Sequence, residues 1–116
     1  MKINVEVYKR EMEGELGYYD VEEDRIYINN ECPPEMEEQV IYHEYIHKID
    51  PKCDGGVHSM DYIIEREMVA EIGAKMMVGD KYVDDGYIDQ YVSDPMEMMD
   101  YIDEAVELLS NNGIQI

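Results

Sequence analysis

His43-Glu44-Tyr45-Ile46-His47 sets two of the chain's three histidines four positions apart, with a glutamate directly after the first. On a helix, positions four apart share one face. Both imidazoles can then reach a single metal ion, and Glu44, one step round the helix, can address water in the open coordination position. Two nitrogen ligands and a carboxylate general base at this HExxH spacing are the chemistry of zinc-dependent peptide hydrolysis. The same string also arises in surface helices with two stray histidines, so its surroundings have to carry weight.

A helix is the element that must present these residues. Pro33-Pro34 followed by Glu35, Glu37 and Glu38 reads as a helix start, with proline in the first turn and acids at the positive end of the dipole. Ile41, Tyr42, Tyr45, Ile46 and Ile49 then fall at helical spacing on the face away from the histidines. Asp50-Pro51 ends the element, because the residue before proline avoids the α region. The expected helix covers residues 34–49.

A catalytic zinc site needs a third protein ligand. Glu67 is the leading candidate, separated from His47 by nineteen residues, far enough for a loop and the start of a second helix over roughly 60–78. Ser59 is placed to cap that helix, with Asp61 in its first turn. Ala70, Gly73 and Ala74 are small enough to let the two backbones approach. Glu71, one turn after Glu67, is positioned to accept a hydrogen bond from the outer nitrogen of His43 or His47 and fix its tautomer. The plainer reading makes Glu65, Glu67 and Glu71 part of a solvated acidic face. Cys53 is a rival ligand. It stands where the metzincin pattern HExxHxxGxxH has its last histidine, although Asp50 replaces the glycine that lets the chain double back. His58, beyond the Gly55-Gly56 bend, and Glu65, on another side of the second helix, are weaker rivals.

Three stretches in this order carry a family resemblance: Tyr18-Tyr19-Asp20 through Asp24-Arg25-Ile26-Tyr27-Ile28, the HExxH segment, and Glu67-Met68-Val69-Ala70-Glu71-Ile72-Gly73-Ala74. The chain resembles the zincin-like metallopeptidase domain of ArdC-type antirestriction and polyvalent proteins of phages and plasmids. The wider relatives of that domain include the ImmA/IrrE peptidases and the gluzincin class. The likeness spans roughly residues 17–110, with Gly86-Tyr87-Ile88-Asp89-Gln90-Tyr91 similar to a later Tyr-Ile helix. It implies a small zincin-like fold, His43, His47 and Glu67 on Zn2+, Glu71 behind them, and a mobile-element setting. Two departures stand out. ArdC-type proteins carry an N-terminal single-stranded-DNA-binding domain for which this chain has no room, and Tyr45-Ile46 replaces smaller residues.

Composition bounds the rest. A length of 116 residues suits one domain over 1–116. No run is apolar enough to span a membrane and the N-terminus has no signal-peptide core, so a cytoplasmic protein is expected. Cys32 and Cys53 are then expected as free thiols. A formal charge of −20 argues against a nucleic-acid backbone as partner and favours a basic one, such as a DNA-binding protein. With neither Phe nor Trp, eleven Tyr and ten Met must fill the interior.

The segment order predicts an α+β fold: a short antiparallel sheet (strands 2–9, 17–21 and 25–29) packed on the HExxH and glutamate helices, then C-terminal helices. Tyr82–Val92 is expected as a short helix. Asp94-Pro95 starts the last helix, with Met96, Met99, Ile102, Val106 and Leu109 as its apolar stripe, and Asn111-Asn112-Gly113 ends it. The expected activity is that of a zinc metallopeptidase in which Glu44 takes the proton of zinc-activated water and passes it to the leaving amine. Tyr87, Tyr91, His58 and Tyr62 are candidates to steady the carbonyl oxygen, and strand 25–29 is a candidate edge for aligning substrate. The alternatives are an acidic inhibitor that mimics DNA, or a catalytically silent zincin scaffold serving as a binding module.

Overall fold

The computed structural model describes residues 3–115. Three short strands, β1 (Glu6–Arg10), β2 (Gly17–Asp20) and β3 (Arg25–Asn29), form one sheet in the order β1-β3-β2. A 3-10 turn at Pro34–Met36 leads into α1 (Glu37–Ile49), followed by α2 (Met60–Val78), α3 (Tyr87–Tyr91) and α4 (Pro95–Asn111). The class is α+β, and the expected helices at 34–49 and 60–78 are in place. No helix among the described residues is long and apolar enough to cross a membrane.

The sheet is mixed rather than antiparallel. β2 and β3 form a hairpin, closed by the Asp20 carboxylate accepting from the Glu23 N–H and by Asp24 at a left-handed φ of 53°. β1 runs parallel to β3, with Glu6 opposite Arg25 and Arg10 opposite Asn29. Burial explains the order. Ile26, Tyr27, Ile28 and Asn29 are all buried, so β3 takes the centre, whereas all five residues of β1 are exposed and suit an edge. Asn29 fixes the crossing: its amide donates to the carbonyls of Met12 and Glu15 at 2.9 and 2.8 Å, tying down loop 11–16. Strand 25–29 is therefore not an exposed edge, and the free edge beside the helices is β2. Of the strand expected at 2–9, Lys2 lies outside the described residues and Ile3 to Val5 precede the ladder.

α1 packs on β2 and β3, and α2 packs side by side with α1 and against α4. The small residues expected to permit this do so. A Cβ on Gly73 would lie 2.3 Å from Ile46 Cδ1, so only glycine leaves room for that side chain. Ser59 caps α2 through the Tyr62 N–H, and Asp94 caps α4 through the Met96 N–H with Pro95 at the first position. The buried stripe of α4 is rotated from the expected one. Ala105 and Leu109 are buried, and Met98, Tyr101, Ile102 and Leu108 are partly buried against the core. Met96, Met99 and Val106 face outward, 76, 62 and 43 % exposed. α4 is set by its packing on α2, where Ala105 Cβ lies 3.6 Å from the position of a Cβ on Gly73. Ile114 folds back onto the core, its N–H bonded to the Leu109 carbonyl. The helix expected over 82–92 shortens to Tyr87–Tyr91 because Gly86, at φ 83°, starts it late. Methionine fills less of the interior than composition suggests: Met68 is fully buried, and the other large, fully buried side chains are aliphatic.

Candidate metal centre

α1 turns His43 and His47 toward α2, and α2 returns Glu67 between them. His43 Nε2 and His47 Nε2 are 3.1 Å apart, and Glu67 Oε2 lies 3.5 Å from the first and 2.5 Å from the second. Ligands bonded at ~2.0–2.1 Å in a tetrahedral site sit about 3.3 Å from one another. The three atoms thus converge at metal-binding distances, and a small outward shift of Glu67 from His47 would complete the fit. Among the described residues this is the only group of His, Cys, Asp and Glu side chains that converges in this way. Glu65 is exposed and takes no part.

The outer nitrogens are held as well, each by different chemistry. His43 Nδ1 is 2.8 Å from Glu71 Oε1, the partner expected for one of the histidines. The other oxygen of Glu71 accepts from the Tyr82 hydroxyl at 2.5 Å. Tyr82 is held in turn by its neighbour: the Gln39 side chain donates to the Val83 carbonyl (3.0 Å) and accepts the Val83 N–H (2.8 Å), clamping this segment onto α1. His47 Nδ1 faces Cys53 Sγ at 3.4 Å. Cys53 is therefore behind the site and not a third ligand. The chain does double back without glycine, through a tight turn at Asp50-Pro51-Lys52-Cys53. There the Cys53 N–H bonds to the Asp50 carbonyl and the Lys52 N–H to the Asp50 carboxylate. The turn brings the sulfur to Nδ1, and the converging group of ligand atoms does not include it.

The charges are strongly coupled. Burial alone would lower the His43 pKa, but its hydrogen bonds to Glu67 and Glu71 overcome this and raise it to about 10. Burial works against the charged form of Glu67, yet hydrogen bonds from both histidines hold its carboxyl well below the usual range. Burial dominates at Glu44 and pushes its carboxyl upward, strengthening it as a base. Cys53 is driven up to about 12 by burial and by the Asp50 carboxylate, so its thiol stays protonated.

Glu44 lies beside β2. A Cβ on Gly17 would come within 2.5 Å of Val40 Cγ1 and 3.2 Å of Glu44 Cγ, so glycine lets the strand pass this close. Two cavities flank the centre and share Tyr18, Glu44, His47 and Glu67. One, of about 320 Å³, has Tyr19, Val21, Tyr62 and Ile63 in its walls. The other, of about 500 Å³, runs between residues 14–17 and Asp85 and Tyr87.

The candidate oxygen-steadying groups separate clearly. The Tyr87 hydroxyl is 3.4 Å from Glu67 Oε1 and lines the second cavity. Tyr91 meets the Tyr87 ring edge-on, its hydroxyl accepts from the Gln90 side chain, and it is 41 % exposed and lines neither cavity. His58 lines the first cavity, but it bonds to Asp54 at 2.8 Å and stacks on Tyr62. The Tyr62 hydroxyl is occupied by the Lys52 carbonyl. Both cysteines are free thiols, as expected. Sequence reasoning missed the roles of Tyr82, Gln39 and the buried Asp50–Arg66 pair. The only signal for the first two was polar character beside apolar positions, and nothing local linked Asp50 to Arg66. No family model, curated protein or solved structure matches the chain.

Proposed function

We propose that this protein is a zinc-dependent peptidase of zincin-like architecture that cleaves a specific, basic protein in the cytoplasm. The observation that carries this reading is the convergence of His43 Nε2, His47 Nε2 and Glu67 Oε2 in an open cleft that Glu44 also lines. Two imidazoles and one carboxylate form the donor set of a catalytic zinc site with a vacant fourth position. Zinc held there supplies Lewis acidity, bringing the pKa of water toward ~7 and drawing charge from a carbonyl oxygen. The resemblance to the ArdC-type peptidase domain supports the same assignment.

The chain's own groups supply the remaining chemistry. Glu44, its proton affinity raised by burial, takes the proton from the attacking water and delivers it to the departing amine. Glu71 and Tyr82 keep His43 in the tautomer that turns Nε2 to the metal. Burial keeps the Tyr87 phenol protonated, ready to donate to the carbonyl oxygen. Among the described residues β2 pairs only with β3, and its free edge aligns an extended peptide across the cleft by strand addition. The cavity walled by Tyr19, Val21, Tyr62 and Ile63 accepts an apolar side chain next to the scissile bond. A basic substrate suits the charge of −20.

The test pairs zinc content with cleavage of a peptide library in wild type, Glu67→Ala and Glu44→Gln. The expected pattern is one zinc per wild-type chain, loss of zinc in Glu67→Ala, and retained zinc without cleavage in Glu44→Gln. The acidic charge also favours a second reading, a decoy that imitates DNA. On that reading both variants keep full activity, and neutralising surface carboxylates abolishes it.

A further inference from the structure

We infer that Cys53 is a positioning residue for the metal centre: its sulfur accepts the outer N–H of His47 and so fixes which imidazole nitrogen faces the metal. This inference rests on the metal-binding part of the reading above and is independent of peptide hydrolysis. The geometry has three parts. First, Cys53 Sγ is 3.4 Å from His47 Nδ1, while His47 Nε2 points to His43 and Glu67. Sulfur meets the nitrogen that the metal does not use, so Cys53 acts through His47 and not as a ligand. Second, the thiol has its own acceptor, Asp50 Oδ2 at 3.5 Å. A thiol that donates its proton to Asp50 is left with only sulfur lone pairs toward His47, which forces the Nδ1–H tautomer.

Third, the Asp50 carboxylate is anchored. It is 3 % exposed and accepts from Arg66 at 2.8 Å, and Arg66 also bonds to Glu104 on α4 at 2.7 Å. Arg66 directly precedes Glu67, so the residue that anchors the sulfur sits next to the third ligand in the same helix. The Tyr62 hydroxyl, bonded to the Lys52 carbonyl, closes the turn from the α2 side. The sulfur is thus fixed from α1, α2 and α4. His43 is oriented by a carboxylate and His47 by a thiol. The turn that would have delivered a third ligand delivers an orienting group instead.

The experiment uses the full chain as wild type, Cys53→Ala and Cys53→Ser. Zinc affinity is read by chelator competition, ring-nitrogen tautomers by 15N NMR of the zinc-loaded protein, and ligation by absorption of the cobalt(II)-substituted protein. In wild type, His47 is expected to be metallated at Nε2 with a slowly exchanging Nδ1–H, and cobalt to show no thiolate charge-transfer band. Cys53→Ala should weaken zinc binding about 10- to 100-fold and speed exchange at His47 Nδ1–H, leaving the His43 signals unchanged. Cys53→Ser, which keeps an acceptor, should recover much of the loss. Wild-type affinity and unchanged His47 exchange in Cys53→Ala would overturn the inference. So would a thiolate–cobalt band in wild type, or metal on His47 Nδ1, even if the alanine variant fails to fold. A wild type that takes up no zinc overturns the metal site and this inference together. Zinc uptake with the expected tautomers but no peptide cleavage refutes the peptidase reading alone.

Discussion

Gly73 is where α2 backs onto α1, and the packing there predicts a measurable coupling. A Cβ added at Gly73 would sit 2.3 Å from Ile46 Cδ1, about 1 Å closer than ordinary contact, while its next neighbours, Ile46 Cγ1 and Ala105 Cβ, lie at an unstrained 3.5 and 3.6 Å. Ile46 is 1 % exposed, so its terminal methyl has no solvent to move into. Overpacking of this kind costs ~1–3 kcal/mol, against a gain of ~1 kcal/mol in helix propensity for Gly→Ala. Gly73→Ala should therefore lose between about 0 and 2 kcal/mol. Ile46→Val alone should lose ~0.5–1.5 kcal/mol by deleting that same methyl. In the double variant the deleted methyl is the clashing atom, so the overpacking vanishes and the helix gain remains. The double variant should be more stable than the two single losses added together, by ~1–3 kcal/mol. Urea unfolding of the metal-free proteins with a common m-value measures this. Zinc affinity should follow the same pattern, since Ile46 adjoins His47 and the helix spacing sets the reach of Glu67. Losses that add within ~0.5 kcal/mol would refute the argument.

Further predictions follow from the charges at the centre. With its pKa raised to about 10, His43 is protonated at neutral pH in the metal-free protein, so zinc must displace a proton. Calorimetric enthalpies of zinc binding at pH 7 in buffers of different ionisation enthalpy should show about one proton released, and buffer-independent enthalpies would refute it. The Glu44 carboxyl is raised by burial, so folding is favoured while it is protonated, and that stability is lost as pH rises from the unfolded carboxyl pKa, ~4.3, through the folded value. Metal-free Glu44→Gln should thus be more stable than wild type at pH 7, with the two converging below about pH 4. Equal urea midpoints at pH 7 would contradict this. With its thiol pushed up to about 12, Cys53 in a Cys32→Ser background should be alkylated by iodoacetamide at pH 8 on the order of a hundredfold more slowly than a free cysteine. Reaction at the free-cysteine rate would show that the thiol is not held as described.

The parts of this site that were legible in the sequence are those governed by local periodicity. The four-residue spacing of His43 and His47, the Glu67-Glu71 step on one face, the Ser59 and Asp94 caps and the small residues of α2 all follow from helical geometry, and all are in place. What could not be read depends on contacts between distant segments. The parallel placement of β1 is decided by which strand buries best and by Asn29 holding loop 11–16. The rotation of α4 depends on the shape α2 offers it, since Met96, Met99 and Val106 suit a helical stripe as well as the residues that are buried. Cys53 stands at the spacing of a metzincin ligand, but spacing along the chain cannot say which imidazole nitrogen a turn will reach.

The placement of buried polar groups bears on which functional reading to prefer. Burying such groups is costly unless each finds a partner. Among the described residues six polar or charged side chains are buried: Asn29, Gln39, His43, Asp50, Arg66 and Glu71. Every one of them serves the centre. His43 is one of the three proposed ligands and Glu71 holds it. Gln39 clamps the segment that brings Tyr82 to Glu71. Asp50 and Arg66 anchor the turn that sets Cys53 behind His47. Asn29 ties down loop 11–16, which forms one wall of the cleft. An acidic decoy works through carboxylates displayed on its surface and has no use for such an interior. A metal centre does, because three ligands must be held in register before the ion arrives. The same argument predicts where the chain will be least tolerant. Replacing Gln39, His43 or Glu71 by an apolar side chain of similar size should lower zinc affinity before it lowers the urea midpoint of the metal-free fold, whereas replacing Asp50 or Arg66 leaves its partner's charge buried and should lower both. The opposite order across the first three would mean that these groups serve stability and that the centre is incidental.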